Sequence, residues 1–267
     1  MALVVKQESL FMNKMLIEPK IETEKTSIPE GIVTYLERRA GIKRDREPLN
    51  FSVSKIIGCL RKTYYREMGV EKDILSRDIE LENLWSTTRG DLLHEITRAY
   101  KWRELDADYK VFLKNGRFAT VSGRLDMYDW KSMTVIDLKT TKFVDWQIRN
   151  GYIPKAEHIL QVQIYGTIFS RLIPIEKLCL VYADMNQLVA YRVKRKDMST
   201  WITERVRKLD NSLNRKTPPR GEVSGLCQFC NYQKKCLEDG NGISYKSKTR
   251  SLKNKKVPID QSGRGKK

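Results

Sequence analysis

Two apolar stretches that run into charged residues, at 117–127 and 133–140, constrain the fold of this chain most. Asn115-Gly116 precedes the first of them, and this dipeptide is typical of a tight β-hairpin turn. A further strand-like stretch lies before it at 109–114, and 129–132 has the composition of a turn. The sequence therefore predicts three successive antiparallel strands at 109–114, 117–127 and 133–140.

The second and third predicted strands carry two acids and a lysine. Side chains alternate between the two faces of a strand, so Asp137 and Lys139 project to one side and Ile136 and Leu138 to the other. If the strands pair, Asp126 lies beside Asp137. Two close carboxylates indicate a divalent cation between them. Such a triplet is common on solvated strands, so its interpretation depends on the residues around it.

The remaining chain predicts helices and further strands around these three. Helices are predicted at 29–39, 53–68, 79–104, 156–172 and 199–214, and strands at 177–183 and 188–194. His94 lies on the third helix, where a lone histidine is more often a packing residue than a ligand. Gln161 and Tyr165 share one face of the fourth helix, which suits either hydrogen bonding to a phosphate or base, or packing in the core.

The charge of the chain favours a polyanionic partner. Lys and Arg number 51 against 33 Asp and Glu, a net charge of +18. The stretch 241–267 contains nine Lys or Arg and one Asp, so the remainder is still basic. Nucleic acid is favoured over an anionic membrane, because no basic amphipathic helix stands out. No apolar run is long enough to span a bilayer, and an intracellular, cytoplasmic protein without a membrane partner is expected.

The cysteines indicate a metal centre. Five cysteines, an odd number, argue against a disulfide framework. Three of them form Cys227-x2-Cys230-x5-Cys236, which can grip one metal centre from a tight turn. Cys59 is the natural fourth ligand, since Cys179 lies in an apolar strand and is expected in the core. Zinc and a 4Fe-4S cluster both accept four cysteines, so the spacing leaves the choice open.

The ordered set of motifs resembles the RecB-type branch of the PD-(D/E)xK nucleases that carry an iron-sulfur cluster. Within that branch the chain is most similar to the CRISPR-associated exonucleases of the fourth Cas family and their relatives in archaeal viruses. The resemblance covers about 52–237 and rests on Cys59, His94, Gly123-Arg124-Leu125-Asp126, Asp137-Leu138-Lys139, Gln161-x3-Tyr165 and Cys227-x2-Cys230-x5-Cys236. Leu60 departs from the family pattern, which often has proline after the first cysteine.

The resemblance implies an α/β fold with a restriction-endonuclease-like core, in which helices flank a mixed central sheet. It also implies an iron-sulfur subdomain that joins the N- and C-terminal parts of the chain. The expected organisation is an N-terminal extension at 1–50, a helical segment of the cluster subdomain at 51–78, the nuclease core at 79–215, the cysteine segment at 216–240 and a basic, disordered tail at 241–267.

The resemblance also implies roles for individual residues. His94, Asp126, Asp137 and the main-chain carbonyl of Leu138 would hold Mn²⁺ or Mg²⁺, and Lys139 would orient or activate the attacking water. Gln161 and Tyr165 would support the site and the substrate. The ligands of the 4Fe-4S cluster would be Cys59, Cys227, Cys230 and Cys236. From their residue types, we expect a further group to guide single-stranded DNA by charge and stacking, namely Arg61, Tyr64, Tyr65 and Arg124.

The expected function is that of a metal-dependent DNA exonuclease acting on single strands or DNA ends. By family analogy it works 5′→3′, with endonuclease or unwinding side activities, and its partners include DNA and CRISPR integration proteins; a homo-oligomer is left open. One alternative is a cluster-containing DNA- or protein-binding adaptor in spacer acquisition or its viral inhibition, without essential cleavage. The presence of Asp126, Asp137 and Lys139 together argues against the adaptor. Another alternative is a zinc-stapled form of the same nuclease.

Overall fold

The computed structural model describes residues 28–40, 49–73 and 77–240. The predicted tail at 241–267 and most of the predicted extension at 1–50 lie outside the described residues. The chain divides into two units, 1–42 and 43–267. The described part of the first unit contains helix α1 (Glu30–Ala40), where the sequence predicts a helix at 29–39.

Within residues 49–240, the described part of the second unit is a six-stranded mixed sheet flanked by helices. The expectation of an α/β fold of this kind is confirmed. Its elements are β1 (Asn50–Ser52), α2 (Val53–Ile57), α3 (Leu60–Glu67), α4 (Arg77–His94), β2 (Trp102–Phe112), β3 (Phe118–Asp129), β4 (Thr134–Thr140), α5 (Val144–Arg149), α6 (Ala156–Phe169), β5 (Lys177–Ala183), β6 (Leu188–Val193), α7 (Ser199–Arg215) and α8 (Gln233–Glu238), with 3₁₀ turns at Glu95–Ala99, Lys114–Gly116 and Gly225–Phe229.

The strand order positions the middle of β3 for function. β2, β3 and β4 are successive antiparallel strands, as predicted, while β5 pairs parallel to β4 and antiparallel to β6. β2 occupies one edge of β3. On the other edge, β1 pairs at Thr120–Ser122 and β4 pairs at Met127–Asp129. Residues 123–126 lie between these two paired stretches, where side chains from elsewhere can approach the strand.

Helices α6 and α7 form the core with the sheet. The apolar residues of α7 recur at helical spacing, so one stripe of that helix is buried. Gly166 lets α6 approach β5 closely, because a Cβ at that position would lie 2.9 Å from a methyl carbon of Leu178. Buried members of this core are Val121, Leu125, Val162, Ile164, Ile168, Leu178, Leu180, Ile202, Val206 and Leu209. None of the helices in the described ranges is long and apolar enough to cross a membrane.

Two predicted helices differ from the structure. The helix predicted at 53–68 is divided into α2 and α3, because Gly58 and Cys59 have extended ψ angles. The helix predicted at 79–104 ends at His94, and Trp102–Glu104 belong to β2 instead. Pairing of Trp102 with Tyr128 and of Arg103 with Met127 explains the second difference, since long-range pairing outweighs local preference.

Candidate functional site

Two carboxylates meet where the pairing of β3 with β4 ends. Met127 and Ile136 are the last residues that pair between the two strands before the site. One residue further, Asp126 turns its side chain toward β4, and its Oδ2 accepts a hydrogen bond of 2.7 Å from the main-chain N–H of Leu138. This contact places the carboxylate of Asp126 beside the stretch that carries Asp137.

Asp137 is the most unusual group of the site. It is 1 % exposed, and neither of its carboxylate oxygens accepts a hydrogen bond from the described residues. Lys139 Nζ lies 2.8 Å from Asp137 Oδ2 and forms an ion pair with it. Burial raises the pKa of Asp137 to about 6; Lys139 opposes this shift and the charge of Asp126 reinforces it. Burying a carboxylate with Lys139 as its only charged partner and with no donor to Oδ1 among the described residues is costly, which points to a ligand that uses it.

His94 reaches the same site from the helix before the sheet. It is the last residue of α4, and its Nδ1 lies 3.7 Å from Asp126 Oδ1. α4 runs close to β4 here, because a Cβ on Gly90 would lie 3.5 Å from Thr140 Oγ1. The structure therefore brings together His94, Asp126, Asp137 and Lys139.

Gln161 and Tyr165 reach the site from α6. Gln161 Nε2 donates a 2.8 Å hydrogen bond to Tyr165 Oη. The tyrosine ring packs on β3 at Gly123, where a Cβ would come within 3.3 Å of two ring carbons. Burial, together with the charge of Asp137, raises the pKa of Tyr165, so its phenol stays protonated. The glycine is thus explained by the close approach of an aromatic ring to the strand.

The second histidine also lies near the site, although the sequence assigns it no role. His158 Nδ1 is 2.8 Å from Tyr182 Oη, which also accepts the main-chain N–H of Lys155 at 2.9 Å. Burial and the charges of Lys139 and Lys155 lower the pKa of His158 to about 4, so the ring is neutral at pH 7. His158 lies one turn before Gln161 on the same helix, and this spacing is the feature of the sequence that could have placed it near the site.

The donor set at this site fits a divalent cation by residue type. Carboxylate and carbonyl oxygens are the ligands that Mg²⁺ and Mn²⁺ prefer, and Asp137 has two oxygens free of hydrogen bonds. Among the described residues, however, no three His, Cys, Asp or Glu side chains are arranged closely enough to hold a metal ion as they stand. Binding would require His94, Asp126 and Asp137 to move closer together.

The prediction that Arg61, Tyr64 and Tyr65 guide DNA is wrong, because the fold buries all three. Arg61 donates to Tyr65 Oη at 2.7 Å and to the carbonyl oxygen of Pro219 at 3.1 Å, and it pairs with Asp239 at 3.3 Å. Tyr65 Oη donates to Asp239 at 2.7 Å. These side chains tie α3 to the C-terminal segment.

Arg124, by contrast, is on the surface of the β2–β3 pair. Its Nε lies 2.8 Å and its terminal nitrogen 3.1 Å from the two carboxylate oxygens of Asp106. The guanidinium remains accessible from one side, and a role in DNA binding stays a prediction.

Four of the five cysteines line one cavity of about 520 Å³. Cys59 stands at the N-terminus of α3, Cys227 lies in the Gly225–Phe229 turn, Cys230 follows that turn and Cys236 lies in α8. Burial raises the pKa of the Cys230 and Cys236 thiols, and the neighbouring cysteines add to this shift. The fifth, Cys179, is half-buried in β5. The four cysteines thus approach one another across about 170 residues of sequence without a disulfide.

Comparison with known proteins gives a family and a fold. A family model described as the PD-(D/E)XK nuclease superfamily matches residues 56–237. A solved structure described as "Crystal structure of SSO0001" has a TM-score of 0.56 and 19% sequence identity, and the match covers 77% of this chain and 96% of that one. A phage related exonuclease from Haemophilus somnus 129PT has a TM-score of 0.37 and 13% identity, covering 61% and 93%, which is too weak to argue from. No curated protein matches the sequence.

Proposed function

The chain belongs to the PD-(D/E)XK nuclease superfamily, and we propose that it is a metal-dependent DNA exonuclease that acts on single strands or DNA ends, 5′→3′. The observation that supports this proposal most is the buried Asp137, which lies beside Asp126, has the Lys139 ammonium at 2.8 Å as its one charged partner in the described part of the chain, and has a raised pKa. A perturbed, desolvated carboxylate with charged neighbours is typical of a functional site. The net charge of +18 suits a polyanionic substrate.

We assign the cation to His94, Asp126, Asp137 and the main-chain carbonyl of Leu138. When bound, Mn²⁺ or Mg²⁺ lowers the pKa of a water molecule and neutralises charge on the phosphoryl group. Asp126 is held in place by the main-chain N–H of Leu138, which leaves its Oδ1 on the side of His94. The β3–β4 junction therefore keeps two carboxylates near each other before any ligand binds, and a smaller movement then brings them onto the cation.

Lys139 and Tyr165 act on the substrate side of the site. The Lys139 ammonium lies 2.8 Å from Asp137 and is partly exposed, so it can place positive charge on a phosphate oxygen or orient the attacking water. Tyr165 accepts a hydrogen bond from Gln161 and keeps its own proton, so its O–H is free to donate to a phosphate oxygen. Gln161 is a positioning residue in this scheme, because it acts through the phenol.

We further propose that Cys59, Cys227, Cys230 and Cys236 ligate a 4Fe-4S cluster, as in the CRISPR-associated branch of the family. Their common cavity and their spacing support this assignment. The cluster would close a loop through the whole sheet unit and would fix α3 against the C-terminal segment. Endonuclease activity and contacts with CRISPR integration proteins are part of the same proposal, and both rest on the resemblance to that branch.

The test is degradation of end-labelled single-stranded DNA in the presence of Mn²⁺. We expect wild-type protein to shorten the strand and Lys139→Ala to do so at least about 100-fold more slowly, since removing one charge-stabilising group costs this much in other enzymes. Lys131→Ala is the matched control, because Lys131 is an exposed lysine in the turn at the opposite end of β4. Separate 5′ and 3′ labels report the polarity.

Two outcomes would contradict the proposal. If the wild-type protein binds the strand without shortening it, the chain is an adaptor. If Lys139→Ala degrades DNA as fast as Lys131→Ala, Lys139 has no part in the reaction and the assignment of the site fails.

A further inference from the structure

An exposed aromatic segment follows the strand that carries Asp137 and Lys139. Within residues 143–152, four large apolar side chains are exposed: Phe143 (71 %), Trp146 (51 %), Ile148 (39 %) and Tyr152 (56 %). We call these four residues the α5 platform. Four exposed apolar side chains within ten residues of a charged protein point to an interaction site.

Two rings of the α5 platform are already stacked. The centroids of Trp146 and Tyr152 are 5.2 Å apart, and the ring planes differ by 29°. The backbone between them is fixed, because Asn150 Nδ2 donates to the Trp146 carbonyl at 2.7 Å and the Tyr152 N–H donates to the Gln147 carbonyl at 2.8 Å. A platform that is assembled before binding loses little conformational freedom when a ligand arrives.

The α5 platform is anchored at the same end of the sheet as Lys139. Gln147 Nε2 donates to the Lys142 carbonyl at 2.8 Å and also contacts Thr141 Oγ1. The Val144 N–H donates to Asp184 Oδ2 at 2.7 Å, which attaches the segment to the loop after β5. These contacts hold the segment against the ends of both β4 and β5.

The distance from the α5 platform to the candidate site is short. Phe143 follows Lys139 by four residues, so their Cα atoms are at most about 14 Å apart. This corresponds to roughly four steps of about 3.4 Å along a DNA strand. A base on Phe143, the platform residue nearest to Lys139 in sequence, would therefore lie within a few nucleotides of a phosphate at Lys139.

The charge around the α5 platform favours a nucleic acid over an apolar partner. Lys142 and Arg149 are exposed in this segment, and Asp145 is the single acidic residue between 142 and 152. Cations beside flat aromatic faces are the combination that binds single-stranded nucleic acids, since phosphates meet the cations and bases stack on the rings.

We propose that the α5 platform is a base-stacking subsite for single-stranded DNA, which holds unpaired nucleotides next to the scissile phosphate. The proposal rests on the proposed function. It adds which surface holds the DNA strand and that the strand is unpaired there. Bases of an intact duplex are stacked on one another, so a blunt duplex gains little from the α5 platform. The protein is thereby selective for unpaired strands.

The test compares affinities without cleavage. Fluorescence anisotropy with a labelled oligothymidylate of about 12 nucleotides in EDTA gives Kd for wild type, Trp146→Ala, Trp146→Phe and Trp130→Ala. Trp130 is the matched control, because it is also an exposed tryptophan, stacked on Trp102 at 5.9 Å, but it lies in the turn at the other end of β4. Circular dichroism checks folding, and Tyr152→Ala serves as a second variant if Trp146→Ala is misfolded.

We expect Trp146→Ala to weaken binding of the single strand about ten-fold, the loss of one base stacked on an aromatic ring. Trp146→Phe keeps a flat ring and should stay within about three-fold of wild type, and Trp130→Ala should match wild type. For a blunt duplex of the same length, all four proteins should agree within about two-fold.

Equal single-strand affinities of Trp146→Ala and wild type overturn the proposal. A variant that binds DNA normally but changes from dimer to monomer in light scattering also overturns it, because the surface is then a contact between copies. Degradation by the same wild-type preparation in Mn²⁺ distinguishes failure of the subsite from failure of the proposed function. If the wild type degrades DNA and Trp146→Ala has the wild-type Kd, only the subsite is disproved. If the wild type neither binds nor degrades DNA, the proposed function is disproved as well.

Discussion

The carboxylate site and the cysteine site are built in different ways. Asp126 and Asp137 stand on neighbouring strands of the central sheet, where β3 is paired with β2 around Asp126 and β4 is paired with β5 at Asp137. The three C-terminal cysteines stand on a 3₁₀ turn and on α8, a six-residue helix with no buried residue, beside the exposed Leu226 and Phe229. The sheet can hold two carboxylates close together although they repel each other. The cysteine segment buries little apolar surface of its own, so other contacts must hold it in place.

The cysteine segment is instead attached by polar contacts and one aromatic ring. Arg61 and Tyr65 bond to Asp239 at its end, and the Lys234 N–H donates to Asp73 Oδ2 at 3.1 Å. The buried ring of Tyr232 lies 5.8 Å from that of Tyr65. Such a region depends on cross-links, so removing one should affect it more than an equal change affects the sheet.

The largest effect is expected from removing a cysteine of this group. Cys227→Ser should reduce iron from about four atoms per chain to less than about one, bleach the visible absorbance and speed proteolysis of 216–240, because the cross-link to Cys59 is lost. Metal analysis and limited proteolysis of protein purified without oxygen measure this. Cys179→Ser, in β5, is the control and should keep its iron. A colourless wild type that contains zinc would contradict the cluster and leave the nuclease intact.

The next effect concerns the buried arginine of α3. Arg61→Ala should lower the free energy of unfolding by about 3 kcal/mol, since it removes the buried donor to the Pro219 carbonyl and to Tyr65 Oη and one of the cations paired with Asp239. Its affinity for DNA should not change. Arg124→Ala, which removes an exposed ion pair, should cost less than about 1 kcal/mol. Denaturant unfolding and anisotropy check both. An Arg61→Ala variant of normal stability and weakened DNA binding would restore the original surface interpretation.

The smallest effect is expected in the sheet, where a substitution should raise the stability of the protein instead of lowering it. Asp137→Asn should raise Tm in EDTA at pH 8 by about 2 °C or more, because burial destabilises the carboxylate by more than its ion pair with Lys139 stabilises it. The unfolded carboxyl ionises near its ordinary pKa and the folded one near 6, so wild-type stability falls as pH rises between these values. The difference in Tm should therefore vanish below about pH 4. A variant less stable than wild type at pH 8 would show that the ionised carboxylate stabilises the fold.

Much of the sheet could be predicted from its sequence pattern. The Asn115-Gly116 turn and the alternating strands around it specified the antiparallel order of β2, β3 and β4, and β5 has the predicted bounds. β1 and α5 were missed, because three and six residues are too few for a periodic signal. The last three residues of the predicted long helix are part of β2, where Trp102 and Arg103 pair with residues more than twenty positions away, which local propensity does not register.

The site was predictable in part. Asp126, Asp137 and Lys139 followed from strand alternation, and His94 followed from the order of motifs, not from its own surroundings. Arg61 was misassigned because residue type alone does not tell which face of a short helix is buried; α3 packs against α7 and the C-terminal segment. The stacked rings of the α5 platform come from a short helix and the loop after it, so their contact was visible only in the fold.

The most direct test of the central claim is the activity of Asp137→Asn, measured beside its stability. End-labelled single-stranded DNA is incubated with Mn²⁺ and each protein, and Tm is recorded on the same preparations in EDTA. We expect wild type to degrade the strand and Asp137→Asn to be at least about 100-fold slower although its Tm is equal or higher. Degradation at the wild-type rate by a folded Asp137→Asn would contradict it.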